Sequence, residues 1–518
     1  MNIPVTELAQ HGLIRDTPAV RLPLGAFTGC KNVELREGYV ETRARLASVV
    51  VPSIAPLSLI PAVVDNTALW AICGEAAVYG FDGAAQTDIT RAAGAYTVGP
   101  YGAWQGGMFN GFLVLNNGVD APQTWGPVDL STPLVDLSAW PASTTAKVVV
   151  GFKNSLIALN VTKTGGSDAR MVKWSHPADP MTLPVSWDET DSTKEAGEVS
   201  LSDADDGLVD GVVLGDSLVL YTATGVWQMR RVSGSSIFDI AKAPFNFGAM
   251  TQGVVGRFPG GHFVVTPDDF VMHDLANAKS VATGSVKRLF RSLLATEAYF
   301  LSKVLVLRRE RQVWVFIPTS TAALDTAFVW NWETGVWSLA EFGAPLRALN
   351  ITQFSFNYSF DPWDLDEEAW DDDTTTWGTT AGEVLVAETV LASPATTEGI
   401  STLSDGGTES LEVELAREDL VHVGPDRANV LTYKRLLCIR PFLDSDAGTV
   451  LSIYAGGRDS LSDEVTWDAP VTFTVGTDTE VHVDVTHRFL AYKITCTSTA
   501  PWKLIGLDLD IRDLGEQL

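Results

Sequence analysis

The chain has 518 residues, of which 46% are hydrophobic, and its 36 basic and 64 acidic residues give a formal charge of −28. A single hydrophobic core stops growing at about 250 to 300 residues, so we expect two or three domains. The acidic balance argues against ordinary binding of nucleic-acid phosphates, which needs a basic face. The 44 glycines and 16 tryptophans are typical of a folded chain with short strands and many turns.

The N-terminal segment, residues 1–20, has none of the features of a secretory signal, and we predict that it forms an arm. No apolar run approaches the ~20 residues that a membrane span needs. The four cysteines are far apart and form no zinc-type cluster, so we predict buried thiols made in a reducing cytosol. A disulfide is an alternative only for Cys438 and Cys496, which lie in the same C-terminal region.

Residues 21–360 repeat one pattern: an apolar strand, a short polar or glycine-containing turn, and a strand with an aromatic or aliphatic residue. Most of these units start roughly 35 to 45 residues apart, the spacing of four-stranded propeller blades. Helical periodicity is nearly absent, although "DIAKAPF" and "SVKRLFRSLL" could each form a few turns. We therefore predict an all-β protein in which residues 21–360 form a β-propeller. The six candidate hairpins start at Ala68, Gly111, Ala146, Asp216, Gly261 and Val304.

The sequence Thr-Gly-Val-Trp occurs twice after a strand-like run, at residues 224–227 and 334–337. Both copies predict a hairpin turn followed by a strand that begins with a large aromatic residue. We expect Gly225 and Gly335 to adopt unusual backbone conformations. We expect Trp227 and Trp337 to fill gaps between neighbouring sheets. The repeated motif thus predicts the same turn in two blades.

The segment 361–380 interrupts the β-pattern with clustered acids and tryptophans, and we predict an exposed loop or linker. From Asp361 to Leu420 there are 17 acidic residues against Arg417 alone, a charge of −16. The candidate acidic-surface or channel residues are Asp361, Asp364, Asp366, Glu367, Glu368, Asp371, Asp372 and Asp373. These carboxylates could bind calcium, but their spacing does not match an EF-hand loop and no glycine supplies its sharp turn.

Two other readings of this tract are open. Carboxylate pairs could serve glycoside hydrolysis, with Trp363, Trp370 and Trp377 as sugar platforms. Alternatively, the tract is a solvated acidic loop that tryptophans anchor. After it, residues 381–518 contain about eight strands with period-two alternation, which predicts a separate C-terminal antiparallel β-sandwich.

The chain has none of the common catalytic motifs. GxSxG, HExxH, the phosphate-binding P-loop and a strand-to-helix GxGxxG are all missing from the sequence. His176, His262 and His273 lie in or beside predicted strands, where we interpret them as structural residues. We therefore predict that the protein is not an enzyme and has no cofactor, with calcium as the one open alternative.

Ten segments, in chain order, carry a similarity that covers nearly the whole chain. They are "LPLGAFTGCKNVELREGYVETRARLASV", "LVLNNGVDAPQTW", "VKWSHPADPMTLPVSWD", "TGVWQMRRVSGSSIFDI", "VWNWETGVWSL", "DPWDLDEEAWDDDTTTW", "KRLLCIRPFLD", "YAGGRDSLSDEVTWDAP", "HRFLAYKITCTS" and "PWKLIGLDLDI". Together these segments resemble the tail nozzle or tail hub proteins of short-tailed bacteriophages.

The resemblance implies a structural virion protein that is synthesised in the host cytoplasm and located in the tail. It implies a homohexameric ring below the portal and the head-to-tail adaptor. Such a ring would close the DNA exit channel, let DNA pass on ejection without sequence-specific binding, and carry tail fibres or receptor-binding proteins. Six copies at −28 would carry about −168, and an acidic lumen would repel phosphates.

Two alternatives belong to other functional classes. One is a carbohydrate-binding or carbohydrate-active propeller, an adhesin or glycosidase, which would use the acids and tryptophans of the 361–380 segment. The other is a calcium-stabilised adhesin, which predicts a large fall in melting temperature when EDTA is added.

Overall fold

The structure is a computed structural model. It describes residues 2–15, 18–64, 67–99, 104–126, 130–233, 236–320, 323–358, 382–394, 399–404, 407, 409–424, 427–497 and 500–515. Almost all regular elements in these ranges are strands, as the short alternating apolar runs predict. The exceptions are one α-helix, Gly284–Leu293, and the 3-10 turns Ala19–Arg21 and Tyr299–Leu301. None of these helices is long and apolar enough to cross a membrane.

The first part of the chain folds into consecutive four-stranded antiparallel sheets, each a simple meander. We number these sheets as blades 1 to 6 in chain order. Blade 1 comprises Ser58–Val64, Thr67–Cys73, Val78–Phe81 and Gln86–Asp88. Blade 2 comprises Gln105–Phe109, Phe112–Asn116, Gln123–Trp125 and Val135–Asp136. Blade 3 comprises Thr145–Phe152, Ser155–Lys163, Gly166–Trp174 and Gly197–Ser200.

Blades 4 to 6 repeat the same arrangement. Blade 4 comprises Leu208–Leu214, Ser217–Thr222, Val226–Arg231 and Phe238–Lys242. Blade 5 comprises Val255–Phe258, Gly261–Val265, Phe270–His273 and Ala278–Ser280. Blade 6 comprises Lys303–Leu307, Gln312–Ile317, Leu324–Asn331 and the first part of Trp337–Tyr358. Each of the six predicted hairpins lies in its own blade.

A seventh blade closes the ring with strands from both ends of the propeller sequence. The long strand Trp337–Tyr358 leaves blade 6, and its second part pairs with Gly382–Pro394. That strand pairs with Ile400–Ser404, which pairs in turn with Arg45–Val50. An early strand is therefore the outer strand of the last blade. This exchange joins the two ends of the ring by backbone hydrogen bonds.

The first strand of each blade packs against the first strand of the next, so these seven strands surround the propeller axis. The long strand Trp337–Tyr358 also packs against Ser58–Val64, which completes the ring. Period-two alternation decides which blade each residue contacts. In blade 4, Leu218 and Leu220 pack towards blade 3, whereas Val219 packs towards blade 5. The hydrophobic core is thus divided into layers between adjacent blades.

A second module is an antiparallel β-sandwich. One sheet contains Val33–Arg36, Tyr39–Thr42, Trp502–Gly515, Tyr433–Ser445 and Val481–His487, with Asn2–Val5 beside Trp502–Gly515. The other contains Gly29–Lys31, Val413–Leu420, Phe489–Cys496, Val450–Arg458, Thr466–Trp467 and Val471–Thr474. A small hairpin, His422–Gly424 with Arg427–Ala428, lies outside both sheets. The fold class is therefore a β-propeller followed by a C-terminal β-sandwich.

The strand pairing differs from the domain boundaries that we predicted at 1–20, 21–360, 361–380 and 381–518. Residues 2–42 supply strands to the sandwich rather than an arm and a first blade. Residues 382–404 belong to blade 7 rather than to the C-terminal domain. Local alternation cannot show these assignments, because a strand edge accepts a partner from any distance along the chain.

The two stretches with weak helical character behave differently. "SVKRLFRSLL" forms the α-helix Gly284–Leu293, as predicted. "DIAKAPF" instead contributes the outer strand Phe238–Lys242 of blade 4. Tertiary pairing overrides the local preference here, since this stretch completes the meander next to Val226–Arg231.

Candidate functional site

The predicted acidic candidates, Asp361 through Asp373, lie outside the described residues, and so do the three tryptophans suggested as sugar platforms. The chain on either side of the segment is described. Tyr358 and Gly382 are paired across the first hairpin of blade 7. The acidic segment therefore connects two neighbouring strands of one blade, and it is not a linker between the propeller and the sandwich.

The two Thr-Gly-Val-Trp copies lie in hairpins that connect different pairs of strands within their blades. The first joins the second and third strands of blade 4, and the second joins the third and fourth strands of blade 6. Trp227 and Trp337 are each 3% exposed. Trp227 packs in the layer between blades 3 and 4. Trp337 stacks on Phe270 of blade 5 with ring centroids 5.0 Å apart.

The two glycines of these turns serve different purposes. Gly335 has φ of 74°, a left-handed conformation that favours glycine, and the space around it is open. Gly225 is not among the residues with positive φ. A Cβ at Gly225 would lie 2.7 Å from ring atoms of Trp227. The expectation of an unusual backbone at Gly225 is therefore wrong, because the close approach of the indole requires the glycine there.

The histidines that we interpreted as structural are hydrogen-bonded to protein groups. The hydroxyl of Tyr221 lies 2.7 Å from Nδ1 of His262 and 2.7 Å from Nε2 of His273, between blades 4 and 5. His176 accepts a 2.9 Å hydrogen bond at Nδ1 from the backbone N–H of Glu195.

The Tyr221 network has one consistent set of proton positions. His262 donates from Nε2 to the carbonyl oxygen of Val213, and Nδ1 of His273 accepts from the N–H of Leu275. His273 therefore donates from Nε2 to Tyr221, and Tyr221 donates to Nδ1 of His262. Burial lowers the pKa of each histidine to about 4, so both are neutral near pH 7.

A cavity of about 430 Å³ lies at the end of the propeller axis where the first strands begin. Residues from several blades converge on it, because equivalent strand starts are brought together around the axis. Gln105 comes from blade 2, Lys147 from blade 3 and Lys303 from blade 6, while Gln252 precedes blade 5. The polar side chains in its lining carry amide, hydroxyl and ammonium groups.

A buried carboxylate lies behind this cavity. Asp210 of blade 4 accepts backbone hydrogen bonds from Gly211 at 2.8 Å and from Gly253 at 2.9 Å. Burial raises the pKa of Asp210 and lowers the pKa values of Lys147 and Lys303. The negative charge of Asp210 partly offsets the lowering of the two lysine pKa values. Lys147 and Lys303 therefore lie near the carboxylate of Asp210, whose oxygens already accept hydrogen bonds from backbone N–H groups.

Sequence reasoning missed this group of residues. A signal for it exists, since Gln105, Lys147, Asp210 and Lys303 each lie within the first three residues of the first strand of a blade. Recognising it requires knowing where each blade begins and that these starts meet at one mouth.

Within the described part of the chain, one group of side chains could hold a metal ion: Cys438, Glu480 and His482 on adjacent sandwich strands. Arg440 competes for this position, because its Nε donates to Glu480 at 2.7 Å. Burial, with Glu480 as a lesser cause, raises the pKa of the Cys438 thiol to about 11, which disfavours the thiolate that binds metals. All four cysteines are buried free thiols, so the alternative of a Cys438–Cys496 disulfide is wrong.

The buried side chain of Arg43 connects the propeller and the sandwich through hydrogen bonds. Arg43 follows sandwich strand Tyr39–Thr42 and precedes the closing strand of blade 7. Its guanidinium binds both carboxylate oxygens of Glu409, at 2.9 and 3.0 Å, and also donates to the carbonyl oxygen of Glu341 in blade 6. It lies 4.6 Å from the ring centre of Phe342. This bidentate pair is buried and fixes three segments relative to one another.

Backbone pairing reinforces this junction. Lys31 of the sandwich pairs in parallel with Leu339 of blade 6, so one hydrogen-bonded sheet continues from the propeller into the sandwich. The N–H of Leu13 also donates to the carbonyl oxygen of Trp337 at 3.0 Å. The two modules therefore share strands, core and hydrogen bonds.

No protein-family model and no curated protein matches the chain. Solved structures that are similar to it include BBS1N in complex with ARL6DN, with a TM-score of 0.40 and 10% identity over 70% of this chain and 96% of that chain. The WD40 domain of Neurospora crassa Pan2 has a TM-score of 0.34 and 10% identity over 60% and 90%. The WD40 domain of Toxoplasma gondii coronin has a TM-score of 0.36 and 9% identity over 72% and 89%.

Proposed function

We propose that this protein is a non-enzymatic structural subunit of the tail of a short-tailed bacteriophage, a nozzle or hub. Several copies, six by the resemblance described above, would form a ring below the head-to-tail adaptor. The ring would retain packaged DNA, conduct it on ejection, and attach tail fibres or receptor-binding proteins. This role rests on the collinear sequence resemblance together with the construction of the junction between the two modules.

The observation that carries the proposal is the continuous sheet between blade 6 and the sandwich, with Arg43 and Glu409 buried beside it. A subunit that holds DNA under pressure needs modules that do not hinge. Domains joined by a flexible linker move relative to each other by default. Here the sandwich cannot separate from the propeller without breaking β-pairing and a buried ion pair, so the chain is suited to transmit load.

Net charge supports the same role. At −28 per chain, a ring of these subunits would repel a passing phosphate backbone rather than bind it. The lumen of such a ring would lie between copies and is distinct from the axis of a single propeller. The acidic tract 361–373 is our candidate for the lumen surface.

Electron microscopy of the purified chain, and of the purified chain mixed with isolated adaptor-bearing heads, tests the proposal. We expect rings with a central hole and a mass about six times the 55.7 kDa of one chain, or a ring added below the adaptor. Mass spectrometry of purified particles should find the chain as a virion component. A protein that stays monomeric in both samples and is absent from particles would refute the role.

A functional test uses the junction. Particles that carry Arg43→Gln should assemble less stably and lose DNA earlier on heating, because the substitution leaves Glu409 buried without its partner. Arg288→Gln is the matched control, since Arg288 is exposed on the helix Gly284–Leu293. DNA release is measured with an intercalating dye during a temperature ramp. Equal release temperatures for both variants would contradict a load-bearing junction.

A further inference from the structure

The axial cavity contains more positive than negative charge. Asp210 is the acidic group that acts on both Lys147 and Lys303, and its two oxygens already accept the N–H groups of Gly211 and Gly253. Among the described residues, no carboxylate lies within the 4.0 Å ion-pair distance of either ammonium group. One carboxylate thus faces two cations, in a protein whose overall charge is strongly negative.

Burial of these two ammonium groups is energetically unfavourable. Burial lowers both lysine pKa values, which means that the surroundings do not fully replace the water removed from the ammonium groups. Lys303 makes a long 3.5 Å contact to the carbonyl oxygen of Gln252. Gly253 approaches Lys303 so closely that a Cβ there would lie 2.7 Å from Nζ. The turn therefore fixes the position of this ammonium group at the cavity.

An unused hydrogen-bond donor lies in the same wall. The side-chain Nε2 of Gln252 is buried and has no hydrogen-bond partner in the described part of the chain. Buried polar groups in folded proteins are nearly always satisfied, so such a group points to a missing partner. Thr145 and Tyr299 also line the cavity. The lining therefore combines two ammonium groups with an amide N–H that has no partner among the described residues.

We propose that the cavity at the propeller axis binds a small molecule bearing a phosphate or carboxylate group, with Lys147 and Lys303 pairing its oxyanion and Gln252 donating from Nε2. The volume, about 430 Å³, is in the range of small-molecule sites and too small for a folded partner. Charge-assisted hydrogen bonds to an oxyanion would satisfy the free donor and compensate the second cation.

Isothermal titration calorimetry of the full chain tests this site with inorganic phosphate and, separately, with citrate. Chloride holds the ionic strength constant, so general screening of the acidic surface does not change. We expect saturable binding of at least one anion at one site per chain. Lys147→Gln should weaken binding by at least about tenfold, whereas Lys147→Arg, which keeps the charge, should stay within about threefold.

Lys279→Gln is the matched control, because Lys279 is exposed on the outer strand of blade 5 and away from the axis. Its affinity should equal that of the wild type. Gln252→Leu provides a second variant that changes no charge and should also weaken binding. Circular dichroism checks that each variant is folded.

Two results would overturn the proposal. One is no saturable binding of either anion to the wild-type chain. The other is wild-type affinity in Lys147→Gln, Lys303→Gln and Gln252→Leu alike, which would place any bound anion elsewhere on the surface. The site does not depend on the proposed tail role, since ring assembly is scored by microscopy and anion binding by calorimetry.

Discussion

Trp337 provides the sharpest test of how the propeller is held together. Its indole is 3% exposed in the layer between blades 5 and 6. It stacks on Phe270 at 5.0 Å and on Trp330 at 6.1 Å, and its Nε1 donates to the carbonyl oxygen of Val281 at 3.1 Å. Replacement by alanine removes all three contacts and leaves a cavity between two blades.

The expected cost follows from these contacts. Truncating a buried tryptophan to alanine costs about 3 to 5 kcal/mol, of which each lost aromatic pair accounts for roughly 0.5 to 1.5 kcal/mol and the hydrogen bond for about 1 kcal/mol. Rigid β-sheets on both sides limit collapse of the cavity, so we expect the upper half of this range, about 4 kcal/mol.

Urea unfolding followed by circular dichroism and by tryptophan fluorescence measures the change in the free energy of unfolding. Trp332→Ala is the matched control: Trp332 lies in the same hairpin, is half-buried, and has its ring 6.2 Å from that of Phe258. Its loss should cost less than about 2 kcal/mol, since less surface is exposed. Equal destabilisation by Trp337→Ala and Trp332→Ala would refute the packing argument.

Three further predictions concern the turns, the junction and pH. Gly335→Ala should cost about 1 kcal/mol from its left-handed backbone, and Gly225→Ala should cost more because its methyl group meets an indole ring at 2.7 Å; thermal unfolding compares the two. Arg43→Met should lower the free energy of unfolding by about 3 to 5 kcal/mol, because the buried carboxylate of Glu409 loses its partner, and Arg43→Lys should have an intermediate effect. A loss below about 1 kcal/mol for Arg43→Met in urea titrations would contradict this expectation. His262 and His273 have pKa values of about 4 in the folded chain against about 6.5 unfolded, so the unfolded chain binds more protons between these values. Stability should therefore fall as pH drops from 6.5 to 4, by up to about 1.4 kcal/mol per pH unit for each histidine, and His273→Phe should flatten this dependence.

Much of the fold could be predicted from local sequence. The alternating runs around Ala68 and Val304 predict strands because side chains of a strand point alternately to its two faces. Glycine and polar clusters between those runs predict the turns. All six predicted hairpins form, one in each of blades 1 to 6. The scarcity of helical periodicity predicts the all-β class.

The candidate site could be predicted less well. The two tryptophans of the repeated motif are buried between blades, but Gly225 and Gly335 have different conformations. A four-residue match does not specify backbone angles. At Gly225 the glycine is required by the close approach of the Trp227 ring and not by a left-handed backbone. The acidic tract was conspicuous in composition, whereas Lys147 and Lys303 were not, since single lysines at strand starts are common.

By itself, the sequence determined the strand faces, the turns and the acidic charge, because these depend on residues that are near one another in the chain. Only the tertiary structure decided that Arg45–Val50 closes the seventh blade, that residues 2–42 belong to the sandwich, and that Lys147 and Lys303 share a cavity. The physical reason is that backbone hydrogen bonds at a strand edge are the same for every residue type. Which distant edges meet is decided by closure of the ring and by burial of the layers between blades.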